Sequence, residues 1–206
     1  MALVPLSWTA AFFVDLWFPQ VYSQEQDEAG LFVIHDGQVK VSIVSEDGRE
    51  VILSILGEGN FFGEMSLLDG HPRSANVTTT QATELLMVRR ADFLRFIQKS
   101  PQTAIKLLSV LASRLRITDR KIEGLALSDV TGRISQTLLQ LADEQGVATQ
   151  EGVLIRDRPT HQDLANMSGT TRETVSRILK RLENQGYIVP RGRDLLIVGT
   201  DLKNQG

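Results

Sequence analysis

The feature that most limits how this chain can fold is a long apolar stripe at helical spacing. Its members recur at alternating steps of four and three residues, the heptad pattern of a helix that packs along one narrow seam. They are Ala104, Leu108, Leu111, Leu115, Thr118, Ile122 and Leu125. Ser100 and Pro101 provide a helix start signal. A helix of about 25 residues is roughly 38 Å long, so it either packs on a sheet of its own chain or pairs with a copy of itself. The narrow, sustained stripe favours pairing.

Before this helix, from Leu31 to about Arg90, the sequence has the pattern of short β-strands. Runs rich in Val, Ile and Leu alternate with turn signals. The runs are Leu31–Ile34, Val39–Val44, Val51–Leu56 and Glu84–Val88. Two Asp-Gly pairs, Asp36-Gly37 and Asp47-Gly48, are typical of tight hairpin turns. We expect an antiparallel sheet that rolls up to cover its own edges.

After the long helix, the sequence predicts a small α domain with a β hairpin. Ser128 and Asp129 can end the long helix and cap the next one, which spans about residues 130–145 and is ended by Gly146. Residues 187–198 are expected to form a β hairpin. The chain is therefore expected to be an α+β protein in three parts. The parts are a β domain (1–99), the long helix (100–127) and a helical domain with a β wing (128–206).

The most specific pattern in the sequence is a pair of short helices separated by Gly169. Thr160 and Asp163 have the spacing of a capping box at the start of the first helix. Thr170 is expected to open the second helix, with Glu173 at its third position. The predicted inner faces hold Leu164, Ala165, Val175, Ile178 and Leu179. A short helix, a glycine turn and a second helix form the helix-turn-helix arrangement of DNA-binding domains.

The second of these helices has a basic outer face. Between Thr171 and Arg181 the chain has four basic residues and one acidic residue. Arg172, Glu173 and Arg177 lie near its start, where an arginine can pair with guanine and a glutamate with the amino group of cytosine. The residues better placed for DNA phosphates are Thr160, His161, Thr171 and Lys180.

Roles without DNA contact also remain open for these residues. The two helices could form an ordinary hairpin whose basic face is only solvated. Glu173 could serve only as the capping partner of Thr170. The wing residues Arg191 and Arg193 could contact the DNA backbone or lie in a solvated turn.

The composition excludes several classes of function. The chain has 206 residues and a formal net charge of −3, which is unlike a polybasic protein. It has no cysteine, so disulfides, iron–sulfur clusters, cysteine-bound zinc and thiol catalysis are excluded, and its three histidines are too scattered to predict a metal site. No catalytic triad or phosphate-binding loop is visible, and we expect no enzymatic activity. The apolar start, Met1–Val14, lacks the basic residues of a signal peptide and is too short to span a membrane, which predicts a cytoplasmic protein.

Three motifs resemble the cyclic AMP receptor protein (Crp–Fnr) family of bacterial transcription regulators. Asp129–Arg133 (DVTGR) resembles the start of the family's DNA-binding domain, and Thr171–Arg177 (TRETVSR) resembles its recognition helix. Phe62–Leu68 (FGEMSLL), followed by Pro72–Ala75 (PRSA), resembles its phosphate-binding cassette. The resemblance extends from about Leu31 to Thr200.

The resemblance implies a jelly-roll β-roll that binds a cyclic nucleotide, a dimerisation helix and a C-terminal winged helix-turn-helix. It implies that Arg172, Glu173 and Arg177 read a TGTGA-like half-site in double-stranded DNA. Residues implied to bind the effector, cyclic AMP foremost, are Gly63, Glu64, Arg73, Ser74, Ala75, Thr118 and Asp119. A homodimer through residues 101–127 is implied, as is contact with RNA polymerase if the protein is an activator. No tightly bound cofactor is expected.

Three features depart from the family pattern. Asp119 stands where cyclic-AMP responders have a hydroxyl, and Ser23–Glu28 lacks the usual glycine. The start of the chain is an unfamiliar apolar segment with Trp8, Phe12, Phe13, Trp17 and Phe18, which either packs on the roll or reflects a displaced start. Because the cassette also occurs in relatives that bind no cyclic nucleotide, a regulator that uses another ligand, or none, remains the alternative.

Overall fold

The structure is a computed structural model that describes residues 11–16, 20–22 and 30–199. The chain folds into two compact units, and the division between them falls between Arg114 and Leu115. The domain boundaries expected from the sequence remain predictions. Trp8, Trp17, Phe18 and Ser23–Glu28 lie outside the described residues.

The described part of the first unit contains two four-stranded antiparallel sheets. One has the strand order β1-β8-β3-β6 and the other β2-β7-β4-β5. The strands are β1 Ala11–Leu16, β2 Gln20–Tyr22, β3 Gly30–Asp36, β4 Gln38–Val44, β5 Glu50–Gly57, β6 Phe61–Phe62, β7 Asn76–Thr79 and β8 Thr83–Arg89. The four strands expected from the sequence are all present, and Gly48 has the positive φ expected of the β4–β5 hairpin turn. The hairpin expected at Asp36-Gly37 was wrong, because Gly37, although its φ is positive, joins β3 of one sheet to β4 of the other.

The core of this unit lies between the sheets because alternate residues of each strand point inward. Its buried members are Ile34, Val39, Phe62, Val77 and Leu85, which come from both sheets. A second cluster of Leu31, Leu67 and Phe93 packs helical residues against the first sheet. β3 thus contributes to both clusters, since Leu31 and Ile34 face opposite sides of the strand.

Three helices begin in the described part of the first unit. They are α1 Glu64–Asp69, α2 Arg90–Lys99 and α3 Pro101–Leu127. The sequence predicted α3 but neither α1 nor α2. Ser100 separates α2 from α3, since its amide donates to carbonyl oxygens of α2 and its own carbonyl accepts from Thr103. Most of the apolar stripe of α3 is exposed in the single chain, with 60 to 64% exposure at Leu108, Leu115, Ile122 and Leu125.

The second unit, as far as residue 199, holds three further helices and a four-stranded sheet with the order β11-β12-β10-β9. The elements are α4 Val130–Gln145, β9 Gly146–Ala148, β10 Gly152–Ile155, α5 His161–Ser168, α6 Arg172–Asn184, β11 Ile188–Arg191 and β12 Asp194–Val198. The predicted inner faces of α5 and α6 are buried. The expected α+β class, with a jelly-roll, a long helix and a winged helix-turn-helix, is confirmed.

Gly146 ends α4 as expected, in an extended conformation with φ −74°, and a side chain there would collide with the Ala142 carbonyl and Val153. One local expectation for the second unit was wrong. Helix α6 begins one residue later than expected, because Thr171 is its N-cap and accepts from the amide of Thr174. Glu173 is therefore not the capping-box partner of Thr170.

Among the described residues, no helix is long and apolar enough to cross a membrane.

Two turn glycines, Gly37 and Gly48, give a matched test of backbone packing. Both have positive φ, but a Cβ at Gly37 would lie 2.5 Å from the Ala82 carbonyl oxygen, whereas one at Gly48 would meet nothing within 4 Å. We expect Gly48→Ala to lower the free energy of unfolding by about 1 kcal/mol, the cost of the left-handed conformation. Gly37→Ala should cost about 3 kcal/mol, because overpacking is added. Urea denaturation measures both, and equal losses would contradict the close approach at Gly37.

Candidate effector pocket and DNA-reading surface

The start of α1 is a sharp turn that only glycine can make without strain. Gly63 caps the helix with φ 84°, in the left-handed region. A Cβ at this position would lie 2.6 Å from Nη1 of Arg73 and 2.7 Å from the carbonyl oxygen of Gly30. The glycine therefore allows the Arg73 guanidinium to approach the backbone closely.

Arg73 is buried, with 4% exposure, which is rare for an arginine. Its Nη1 donates to the Gly63 carbonyl and to the Ser66 hydroxyl, both at 2.9 Å, and its Nη2 donates to the Gly30 carbonyl at 3.0 Å. The guanidinium also lies 5.9 Å from the centre of the Phe32 ring. These three oxygens fix the plane of the guanidinium.

Glu64, the first residue of α1, is buried to the same extent as Arg73. Its carboxylate accepts a hydrogen bond from Nη1 of Arg114 on α3 at 2.7 Å. Arg114 also donates to the carbonyl of Phe61, and its guanidinium lies 4.8 Å from the centre of the Phe61 ring. Arg114 was not predicted from the sequence. The available signal was its place one helical turn before Thr118, on the same face of the long helix.

The remaining predicted effector residues are more exposed or lie on other elements. Ser74 is exposed, and its hydroxyl donates to the sulfur of Met65 at 3.7 Å. Ala75 is buried next to the start of β7. Thr118 and Asp119 are exposed residues of α3 and belong to the second compact unit. The structure thus brings Gly63, Glu64 and Arg73 to the start of α1, and their predicted ligand contacts remain predictions.

In the second unit, the helix-turn-helix is fixed by its caps. The Thr160 hydroxyl accepts from the amide of Asp163 at 3.1 Å, and the Asp163 carboxylate accepts from the amide of Thr160 at 3.2 Å, so the predicted capping box is present. Gly169 adopts φ 61°, and the next amide, that of Thr170, donates to the Ala165 carbonyl. This bond uses Thr170 to close α5 and leaves Thr171 to cap α6.

The three predicted base-reading residues are all exposed on the first two turns of α6. They are Arg172, Glu173 and Arg177. Hydrogen bonds from its own amide and from the Thr171 hydroxyl, together with the charge of Arg172, lower the pKa of Glu173. The carboxylate is therefore ionised at neutral pH and can accept hydrogen bonds from an amino group. Val175, Ile178 and Leu179 hold the opposite face of the helix in the core.

The predicted phosphate contacts have local partners. Nδ1 of His161 lies 2.8 Å from the Ser176 hydroxyl, and Lys180 pairs with Glu183 at 2.9 Å. Thr160 and Thr171 are the N-cap residues of α5 and α6. In the wing, Arg191 pairs with Glu151, and Arg193 pairs with Asp157 at 2.9 Å. Because the ion pairs of Lys180, Arg191 and Arg193 are solvent-exposed, each contributes less than about 1 kcal/mol and can exchange for a phosphate.

Comparison with known proteins gives the family. Residues 20–100 match the model of the cyclic nucleotide-binding domain, and residues 132–203 match that of the Crp-like helix-turn-helix domain. The cAMP-activated global transcriptional regulator CRP of Salmonella typhimurium is 41% identical over 172 residues, covering 82% of this chain and 81% of that protein. The chain belongs to the CRP family of transcription regulators.

Two further relatives of this CRP-family chain differ in the effector they are named for. The CRP-like cAMP-activated global transcriptional regulator of Mycobacterium tuberculosis is 35% identical over 179 residues, 86% of this chain and 79% of that protein. The solved structure of the c-di-GMP responsive global regulator CLP of Xanthomonas campestris is 28% identical and covers 93% of this chain and 95% of that chain, with a TM-score of 0.75. Membership of the CRP family therefore gives a DNA-binding regulator with a cyclic nucleotide-binding domain, and leaves the effector open.

The Glu64–Arg114 pair gives a testable prediction for the CRP-family roll. Replacing Arg114 with leucine leaves the buried Glu64 carboxylate without its guanidinium, which we expect to cost about 3 kcal/mol of unfolding free energy. The matched control is Arg116→Leu, an exposed arginine two residues further along α3, for which a change within about 0.5 kcal/mol is expected. Adding Glu64→Gln to Arg114→Leu should restore part of the loss in urea denaturation. Similar effects of the two arginine variants would contradict the pair.

Proposed function

We propose that this CRP-family protein is a homodimeric, sequence-specific transcription regulator whose affinity for DNA is controlled by a small effector in the β-roll, cyclic AMP foremost. The DNA site is proposed to be a pseudo-palindrome of TGTGA-like half-sites. The observation that carries the proposal is the exposed group of Arg172, Glu173 and Arg177 on α6. No catalytic role is assigned to the protein, and contact with RNA polymerase is proposed if it acts as an activator.

The chemistry of this group suits the edges of base pairs in the major groove. A guanidinium can donate two hydrogen bonds to O6 and N7 of guanine, and an ionised carboxylate can accept from N4 of cytosine. Glu173 stays ionised because its pKa is lowered. The caps at Thr160 and Thr171 hold the two helices that would present these side chains. The wing and the start of α5 are proposed to contact phosphates.

The homodimer is supported by the apolar stripe of α3. Leu108, Leu115, Ile122 and Leu125 are each at least 60% exposed in the single chain. A stripe at heptad spacing buries such residues when two copies pair. A two-fold dimer would present two recognition helices about 34 Å apart, one turn of DNA, which accounts for a pseudo-palindromic site. Sedimentation at micromolar concentration should give a dimer, and a monomer would contradict this part of the proposal.

The effector is supported by the chemistry at the start of α1. A buried guanidinium beside a glycine turn is suited to a phosphate, and a buried carboxylate is suited to a ribose hydroxyl. Arg73 and Glu64 are therefore proposed to hold these two groups, with Ser74 and the amide of Ala75 beside the phosphate. Thr118 and Asp119 are proposed to contact the base, a role that rests on the family resemblance. The curated relatives named as cAMP-activated support cyclic AMP.

A second candidate is a regulator of the same fold that uses another effector or none. The Glu64–Arg114 hydrogen bond favours it, since the carboxylate already has a charged partner within the chain. The carboxylate of Asp119, which would lie near an anionic ligand, also favours it. The relative named as c-di-GMP responsive illustrates a different effector on the same fold.

The DNA function is tested on Arg177. We expect Arg177→Ala to weaken binding to a TGTGA-containing duplex by about 1 to 3 kcal/mol and to leave binding to a random duplex nearly unchanged, because a base contact is removed. Arg95→Ala, an exposed arginine of α2, is the control and should bind like the unmodified protein. Fluorescence anisotropy at fixed salt measures the affinities. An unchanged preference for TGTGA in Arg177→Ala would contradict the assigned role.

The effector is tested by calorimetric titration with cyclic AMP, with cyclic GMP as the comparison. We expect saturable binding at about one site per subunit and its loss in Arg73→Gln, because the phosphate would lose its buried cation. Arg49→Gln, a highly exposed arginine of the β4–β5 hairpin, is the control and should retain binding. Absence of heat with both nucleotides would support the second candidate and would leave the DNA function in place.

A further inference from the structure

His161 joins the two helices of the helix-turn-helix. It is the first residue of α5, and its Nδ1 lies 2.8 Å from the hydroxyl of Ser176 on α6. The side chain is partly buried. A hydroxyl can either donate to a ring nitrogen or accept from it, so Ser176 serves the neutral and the protonated ring equally well. The hydrogen bond holds the ring in position in both charge states.

The groups that face His161 are positive. Partial burial and the charges of Arg158, which precedes α5, and Arg172, the first residue of α6, lower the pKa of His161. The positive end of the α5 dipole acts in the same direction. On its own helix, the nearest carboxylate is that of Asp163, which engages Thr160. In the free protein the ring is therefore neutral at neutral pH.

Duplex DNA would reverse this electrostatic balance. A phosphate against the start of α5 brings a negative charge close to the ring, to Arg158 and to Arg172, and a nearby opposite charge favours the protonated form of histidine. The ring then has a higher proton affinity in the complex than in the free protein. A difference of this kind links binding to pH by thermodynamic necessity.

We propose that His161 takes up a proton from solvent when duplex DNA binds, so that this regulator binds DNA more tightly as the pH falls through the neutral range. The proposal rests on the DNA-binding function proposed above and deepens it. The linkage acts through a phosphate contact, so it should be the same for a TGTGA site and for a random duplex. The linkage adds affinity and leaves the preference for the sequence unchanged.

The test measures affinity between about pH 6 and pH 8, the range in which histidine titrates. Fluorescence anisotropy is recorded with a TGTGA duplex and a random duplex at constant ionic strength, because salt alone alters affinity. The unmodified protein should gain affinity as pH falls, by up to about tenfold per pH unit for each subunit. His161→Gln should have no such slope, and His161→Arg should bind tightly with no slope, because its charge is permanent.

The control variant is His71→Gln, which changes an exposed histidine of the first unit and should keep the slope of the unmodified protein. Calorimetry of the unmodified protein in two buffers of different ionisation enthalpy counts the protons taken up. A slope in His161→Gln equal to that of the unmodified protein would overturn the proposal. So would a proton uptake of zero, whether or not the variants bind DNA. Failure of the unmodified protein to bind either duplex at any pH would instead overturn the DNA-binding function itself.

Discussion

Two charged side chains buried in the β-roll determine much of the geometry of the first unit. Glu64 and Arg73 are each 4% exposed, and an uncompensated buried charge costs several kcal/mol. Arg73 is compensated by carbonyl oxygens and a hydroxyl, which requires the left-handed turn at Gly63. Glu64 is compensated by Arg114, which requires the first half of α3 to lie against the roll. The glycine turn, α1 and the start of α3 therefore depend on one another.

This dependence has a consequence for any ligand that enters the roll. A ligand hydroxyl that bonds to Glu64 must share the carboxylate with Arg114, and an anion that reaches Arg73 must compete with the carbonyls of Gly63 and Gly30. Each exchange alters a contact that fixes either α1 or α3. A ligand can therefore bias the position of α3 only through the difference between the contacts it makes and those it replaces.

The sequence predicted the elements whose residue patterns repeat along the chain. Strand alternation and the heptad stripe indicated the sheets and α3, because each pattern recurs over many residues. The Asp36-Gly37 pair was misinterpreted as a hairpin because the sequence does not show which sheet each strand joins. Helix α1 was missed because six residues between two left-handed glycines are too few to show a helical period. Arg114 was missed because its partner lies 50 residues away. The predicted start of α6 was one residue too early because both Thr170 and Thr171 can cap a helix. The bond from Thr170 to Ala165 and the cap that Thr171 makes with Thr174 decide between them.

The distribution of charge in the second unit separates residues that can specify a sequence from residues that can only add attraction. Lys180, Arg191 and Arg193 each have a carboxylate partner, and Arg181 donates to Thr131. The chain as a whole has a net charge of −3, so general attraction to DNA is weak. Affinity must then come from a few local contacts made at close range. Under the proposed function, contacts of that kind at the start of α6 would depend on the exact donors and acceptors of the bases. The same residues would then give this weakly charged regulator both its affinity and its selectivity.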